Sequence, residues 1–465
     1  MKSIHLLSFL AVTGLVACSA ATPTKTTLSE NSYFITNVTV IDVVSGIALP
    51  GRTVIVTDNR IDKIGLQEEI EIPPGAKIIH GDGLYLIPGL ADAHVHYYDA
   101  PVFSRLMIAN GVLLVRDMGM PNEYILPLRD ELNRGVKLGP EMMATGTILD
   151  GVPPLIPLIS MGIQTPEAGR AAVRSQAAAG VNMIKVYSRL EKDVFLAIVD
   201  EAHKNGLKVV AHLPESVYLE DAVAAGLDSN EHFNGFEKVI ANLLGEPVDL
   251  TFRGQARDAE YFLRLGEVDR GELQAVYQRI RASGMTLCPT IVTFKTLTDI
   301  KPFLAGSFPG SEYIAPGLSD MWKSLWGQQG DVPDFIWRNW AQMVADMSAA
   351  GIPLMTGTDL MLPGILPGFS VHEEMLIWQE AGILPAAVLR GATIVPAEFM
   401  DLDDRLGSIS EGKAASMVLV RENPLEDIRN AQRIESVFLR GQYFSRSDLD
   451  RLLEEAKQLA QTPVP

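Results

Sequence analysis

Residues 90–99 read LADAHVHYYD, directly after the break Pro88-Gly89. His94 and His96 stand two apart in an apolar, strand-like run, so on a strand they share one side of the pleat and can converge on a point. Neutral imidazole is a common metal ligand, and two of them on one face suit an ion. Taken alone, the pair reads equally well as two histidines of an ordinary core. The surrounding pattern decides between these readings, and it also decides the fold.

From Ala91 onward, short apolar runs alternate with helical segments, the texture of repeated βα units around a parallel sheet. The candidate strands are LADAHVH, GVLLVRDMG, EMMATGTIL, VNMIKVY, LKVVAHL, LDSNEHF, MTLCPTIV and IPLMTGTD. Helices fit RAAVRSQAAAG, KDVFLAIVDEAHKNG, YLEDAVAAG and WRNWAQMVADMSAAG, each ending in a Gly suited to a left-handed terminal turn. Eight such units predict a closed (β/α)₈ TIM barrel over residues 88–399.

Outside this region the texture is β-rich: YFITNVTVID, RTVIVTDNRIDKIG and KIIHGDGLYLIPG before it, LGSISEGKAASMVLV and RIESVFLRGQYF after it. Chain ends commonly lie close in space. The simplest α/β architecture therefore inserts the barrel into a small β-sandwich-like domain built from residues 33–87 and 400–446, with a helix and tail over 447–465.

With 57 acidic against 39 basic residues the formal charge is −18, a field that repels nucleic acid and anionic membrane surfaces. No nucleic-acid partner is expected; neutral or cationic small molecules remain compatible. At the start, Lys2 precedes an apolar run from Ile4 to Val16 that is too short to span a bilayer and ends in Leu15-Val16-Ala17-Cys18. These four residues resemble a bacterial lipobox. That implies removal of residues 1–17, lipid on Cys18, a tether over 18–32, and a cell-envelope lipoprotein that meets the membrane only through its anchor. A plain secretory signal with an incidental cysteine is the alternative. Cys288 is then the one cysteine of the mature body; it reads as a small buried apolar residue, which excludes a disulfide framework.

Of the eight histidines, His94, His96, His212 and His232 fall at or near the C-terminal end of a candidate strand, the catalytic face of such a barrel. Lys185, inside VNMIKVY, and Asp359, closing MTGTD, fall at equivalent positions, where a buried charge is costly without a counter-charge. The coincidence of all six at one face favours a bound ion over separate structural roles. Tyr187 shares the face of Lys185 and is a substrate contact or a packing residue. His372, in FSVHEEM, is a substrate contact or a helix-start histidine tied to local backbone. His80 and His203 read as structural or solvated, and Glu231, alternating with His232, is expected to face the surrounding helices. Insertions over 235–284 and 296–334, with Trp322, Trp326, Trp337 and Trp340 in or after them, form an aromatic lid or pack helices onto the scaffold.

The ordered set IPGLADAHVH, GVLLVRDMG, MIKVY, VVAH, SNEHF, TGTDL, LRGATIVPAEFM and LGSISEGKAASMVLV resembles the amidohydrolase superfamily over essentially the whole mature chain. The similarity is to the branch with imidazolonepropionase-like and Xaa-Pro dipeptidase-like members, where a histidine like His372 recurs. It implies that Lys185 is N-carboxylated and bridges two divalent metals, usually zinc. His94, His96 and Asp359 would then bind the more buried metal, and His212 and His232 the more exposed one. The chemistry agrees, since carbamate formation needs a neutral amine and an apolar strand lowers a lysine pKa. The resemblance further implies hydrolysis of an amide, peptide-like or cyclic amide bond in a small-molecule or dipeptide-like substrate. A metal-bridging hydroxide would attack, with Asp359 as general base and then acid. Two departures stand out: VVAHLPES lacks the residues that often follow this strand, and Ser416 replaces a usual Asp. A metal-dependent esterase, lactonase or phosphotriesterase, and a non-catalytic ligand-binding surface lipoprotein, are the competing readings.

Overall fold

A computed structural model describes residues 32–246, 260–328 and 335–462; Cys18 and the segment around it lie outside this range. The strands are β1 (Ser32–Asp42), β2 (Ile47–Thr57), β3 (Arg60–Leu66), β4 (Lys77–His80), β5 (Tyr85–Pro88), β6 (Leu90–Val95), β7 (Val112–Asp117), β8 (Glu141–Ala144) and β9 (Ile148–Asp150). They continue with β10 (Ser160–Gly162), β11 (Met183–Val186), β12 (Lys208–Ala211), β13 (Ser229–Glu231), β14 (Thr286–Cys288), β15 (Met417–Val420), β16 (Ile434–Leu439) and β17 (Gln442–Phe444).

The Val-, Ile- and Thr-rich segments at both ends of the chain pair into one sheet, ordered β17-β16-β15-β5-β1-β2-β3, with β4 on the edge of β1. Its seam joins β5 to β15 antiparallel, from Tyr85 opposite Val420 to Pro88 opposite Met417. Hydrogen bonding runs through a single eight-stranded sheet, and Arg60 on β3 also bridges Ala414 just ahead of β15. One face of it buries Ile35, Val54, Val56, Leu86, Met417, Leu419 and Phe438 together. Each large apolar side chain so buried contributes about 1.5–3 kcal/mol relative to exposure.

Between these ends lies a mixed α/β region of parallel strands in two ladders, β6-β7-β8 and β10-β9-β11-β12-β13-β14. β6 and β7 are buried along their whole length, as continuous apolar strands covered on both faces must be. The third expected strand, EMMATGTIL, is broken into β8 and β9 at Gly146, whose φ of 67° only glycine adopts readily. A Cβ there would also come within 2.1 Å of the Asn122 side chain. Across the break, the Asn182 amide donates to the Ala144 carbonyl, linking β8 to the strand that carries Lys185.

The eighth expected strand, IPLMTGTD, forms no ladder. It touches its neighbours through isolated parallel bridges, Leu287 with Leu354 and Val95 with Leu360, so it lies between β14 and β6. The physical reason is local: the left-handed Asp359, φ 52°, interrupts the pleat. The Asp359 amide nevertheless donates to the His94 carbonyl at 2.9 Å, which fixes this segment against β6.

The helices Pro166–Ala179 and Leu219–Ala225 end at left-handed Gly180 and Gly226, as the sequence predicts. A C-terminal helix, Arg446–Ala460, begins with a capping box at Ser445 and Asp448 and packs on the helix Ala100–Ala109, where Arg105 meets Glu455 at 2.8 Å. Among the described residues no helix is long and apolar enough to cross a membrane.

Candidate active site

β11, β12, β13 and β14 run parallel, so their C-terminal ends open on one side. Lys185 sits near the end of β11, while His212 and His232 directly follow β12 and β13. His96 lies just past the end of β6, with His94 on that strand facing the same way. The ring centroids of His94 and His232 are 4.8 Å apart, and those of His212 and His232 are 5.2 Å apart. Asp359 completes the group: its Oδ1 lies 3.5 Å from His94 Nε2 and 3.6 Å from His96 Nε2. These three residues offer ligand atoms that all lie within 4.8 Å of one another.

The second nitrogen of three of the four imidazoles is held from behind. His94 Nδ1 is 2.8 Å from Glu231 Oε2 and His96 Nδ1 is 2.9 Å from the Gly119 carbonyl. A carboxylate and a carbonyl can only accept, so both Nδ1 atoms carry the proton and both Nε2 lone pairs face Asp359. His232 Nδ1 rests 2.7 Å from Thr290 Oγ1. His212 Nδ1 and Lys185 Nζ are buried and, among the described residues, have no hydrogen-bond partner. An orphaned imidazole nitrogen and an orphaned amine in one cluster need an ion, a modification or both to offset their desolvation.

Electrostatics push the group toward the neutral ligand forms. Burial, reinforced by the Lys185 charge, lowers the His94 pKa to about 3, and burial likewise lowers His212 and His232. His96 is the exception: burial opposes its charge, but the Asp359 carboxylate beside it raises the pKa. Burial lowers Lys185 to about 8, which makes the neutral amine accessible near physiological pH. Burial alone would raise Asp359, yet His96 beside it and the other imidazoles around it hold it well below the usual carboxylate range. Tyr187 borders this group, its ring 4.5 Å from that of His212.

His372 does not join them. Its Nε2 donates to the Asn110 carbonyl at 2.9 Å, at the C-terminal end of the helix Ala100–Ala109. It therefore links two helices. The tryptophans pack as well: Trp322 is fully buried with its indole N–H donated to the Met361 carbonyl, and Trp340 lies against Phe233, Phe262 and Phe294.

Glu231 corrects the alternation argument. Far from facing the helices, it is fully buried and accepts from His94, Arg116 and Ser229. The left-handed turn at His232, φ 59°, breaks the strand immediately after Glu231, so both residues serve the interior. Arg116 and Asp92 also escaped the sequence reading. Arg116 lies fully buried on β7, and Asp92 on β6 accepts the Thr358 amide and hydroxyl at 3.0 and 2.7 Å. Charged residues inside the apolar runs GVLLVRDMG and LADAHVH were the available signal. His232, Thr290 and Asp359 all carry positive φ without being glycine, each a conformation costing of order 1–3 kcal/mol. The strain is thus concentrated at the histidine cluster and its immediate supports.

The pattern of the Amidohydrolase family matches residues 85–443. Ochratoxinase of Aspergillus niger is 22% identical over 414 residues, spanning 76% of this chain and 73% of that protein. Among solved structures, bottromycin amidohydrolase superposes with a TM-score of 0.74 at 23% identity, over 93% of this chain and 91% of that one. A Xaa-Pro dipeptidase with bound methionine in its active site gives 0.64 at 19% identity, over 89% and 100%. The match takes in both the sheet seam at β5 and β15 and every member of the histidine cluster, so the chain belongs to the amidohydrolase family, as a hydrolase acting on carbon–nitrogen bonds.

Proposed function

We propose that the protein is a metal-dependent amidohydrolase of a small-molecule or dipeptide-like substrate, its parallel strands closing as a (β/α)₈ barrel with two divalent ions, zinc-like in preference, at the mouth. The observation that carries this reading is the convergence of His94 Nε2, His96 Nε2 and an Asp359 oxygen within 4.8 Å, beside a Lys185 amine that has no hydrogen-bond partner among the described residues. These donors fit the ions. His94, His96 and Asp359 would hold one, His212 and His232 the other, and Lys185, N-carboxylated, would bridge them. Bound there, the ions acidify a water and polarise the scissile carbonyl.

The chain supplies the rest. Asp359, kept ionised by its imidazole neighbours, takes the proton from the attacking water and returns it to the leaving amine. Glu231 and the Gly119 carbonyl keep His94 and His96 in one tautomer throughout. Tyr187 walls the cleft beside His212, where an amide substrate would lie. Residues 33–87 and 400–446 act as one supporting domain, and Cys18 carries a lipid that tethers the enzyme to the bacterial envelope.

The test is turnover of a library of dipeptides, N-acyl amino acids, hydantoin-like rings, lactones and phosphotriesters by zinc-loaded protein, with metal content measured in parallel. Hydrolysis confined to the amides is expected. Turnover of lactones or phosphotriesters alone would transfer the site to the ester reading. Absence of turnover together with less than one metal equivalent would leave only a binding lipoprotein. Mass spectrometry of the N-terminal peptide from membranes checks the lipid on Cys18.

A further inference from the structure

Glu374 is fully buried, yet it belongs neither to the ligand cluster nor, among the described residues, to any ion pair within 4 Å. It lies two residues beyond His372 on the helix Phe369–Glu380. One of its oxygens accepts the Val292 amide at 2.7 Å and the other accepts the Trp378 indole N–H at 2.9 Å. Val292 stands in the first turn of the helix Ile291–Thr298, whose N-cap is Thr290.

A threonine at that position ordinarily caps its own helix, the hydroxyl accepting one of the orphan amides of the first turn. Thr290 makes no such bond. Its backbone is left-handed, φ 48° and ψ 45°, and its hydroxyl is turned 2.7 Å from His232 Nδ1. The first turn is thereby left without its usual acceptor, and Glu374 supplies one from another helix. Thr293 ties the same turn down a second time, its hydroxyl donating to the Thr358 carbonyl at 2.7 Å.

We propose that Glu374 is a positioning residue for His232. By holding the first turn of Ile291–Thr298 it keeps Thr290 left-handed, so that the threonine hydroxyl accepts from His232 Nδ1–H and the Nε2 lone pair faces the ligand cluster. The metal-affinity arm of this inference rests on the two-metal reading above; the tautomer arm does not. No bond is made or broken in the role assigned to Glu374. It acts through geometry alone.

The experiment is a double-mutant cycle on the full chain with Glu374→Ala, Thr290→Ala and both together, and Trp378→Phe as a control at the other oxygen. Zinc affinity is read by competition with a chromophoric chelator, which resolves a tighter and a weaker site. Loss of such an outer-shell partner costs on the order of ten-fold in metal affinity. Each single variant should weaken one site by about that factor and spare the other, and the double variant should lose no more than Thr290→Ala alone. In metal-free protein, imidazole nitrogen NMR should show His232 protonated at Nδ1 in the wild type and mixed between tautomers in both single variants. Wild-type zinc constants and an unchanged tautomer in Glu374→Ala, with only thermal stability reduced, would make Glu374 purely structural. Additive losses in the double variant would overturn the route through Thr290. Absence of zinc binding by the wild type with the tautomer shift intact would remove the metal reading and keep the positioning one. Should Glu374→Ala fail to fold, Glu374→Leu, which keeps the volume and removes both acceptors, is read in its place with the same outcomes.

Discussion

Glu231 Oε2 lies 2.8 Å from His94 Nδ1 and 2.8 Å from an Arg116 guanidinium nitrogen, and the side chains of Glu231 and Arg116 have no solvent exposure. Burial alone would raise the Glu231 pKa, but Arg116 and His94 hold it far below the usual carboxylate range. Removing one partner from such a pair leaves an uncompensated charge, at a cost of roughly 3–5 kcal/mol. Arg116→Met should therefore lower unfolding free energy by about that much in urea titrations. A loss under about 1 kcal/mol would show that Glu231 simply picks up a proton.

Lys185 and Asp359 should be indispensable to turnover and dispensable to the fold. Lys185→Ala and Asp359→Asn are each expected to reduce kcat by at least about 10²-fold, with circular dichroism unchanged. Protein equilibrated with ¹³C-bicarbonate should show a carbamate resonance that Lys185→Ala abolishes. Full activity in either variant would falsify the assignment of both residues.

Asp92 supplies a pH signature. Burial raises its pKa from 3.8 to about 7, against the hydrogen bonds from Thr358 and His94 that favour the ionised form. The folded state thus retains a proton that the unfolded chain releases, so this group's contribution is full below pH 4 and is lost as pH rises toward 7. In metal-free protein, the stability of Asp92→Asn relative to wild type should improve steadily between pH 4 and 7 and level off above. Parallel urea curves for the two proteins across that window would refute it.

Gly357 is a point of close approach. A Cβ there would sit 2.4 Å from Cys288 Sγ and 2.9 Å from the His94 Cβ. Gly357→Ala should cost about 1–3 kcal/mol of stability by overpacking and, by shifting His94, on the order of 10²-fold in kcat/KM. Adding Cys288→Ala removes the sulfur from the clash and should restore part of both. No recovery in the double variant would mean that the His94 backbone, and not the thiol, bears the strain.

Chelation should separate folding from chemistry. Ligands that bind only the folded state stabilise it by mass action, about 2.7 kcal/mol for each ion at a hundred times its dissociation constant. Dialysis against a strong chelator should lower Tm and remove activity together, and zinc should restore both. The decisive comparison is His94→Asn, whose Tm should no longer respond to zinc to the same extent.

The candidate site was legible because ionisable residues at the ends of apolar strands conflict with their surroundings. His94, His96, Lys185, His212, His232 and Asp359 all show that conflict, and the structure gathers them. Glu231 was misplaced because period-two alternation presumes an unbroken strand, and the left-handed turn at His232 ends it. The same cause hid the division of the third strand at Gly146 and the bridge-only pairing of residues 352–360. His372 invited a functional reading, and its Nε2 instead meets the Asn110 carbonyl, while Glu374, two positions on, meets the Val292 amide of another helix. Side-chain destinations across helices carry no signal in a single sequence.

The seam between β5 and β15 joins Tyr85 to Val420. During synthesis the first strands must wait, one edge open, until more than three hundred further residues have emerged to close it. The last tenth of the chain thus acts as a latch on the first fifth. A ribosome that stalls early leaves β5 without β15, its unpaired backbone edge open to proteases.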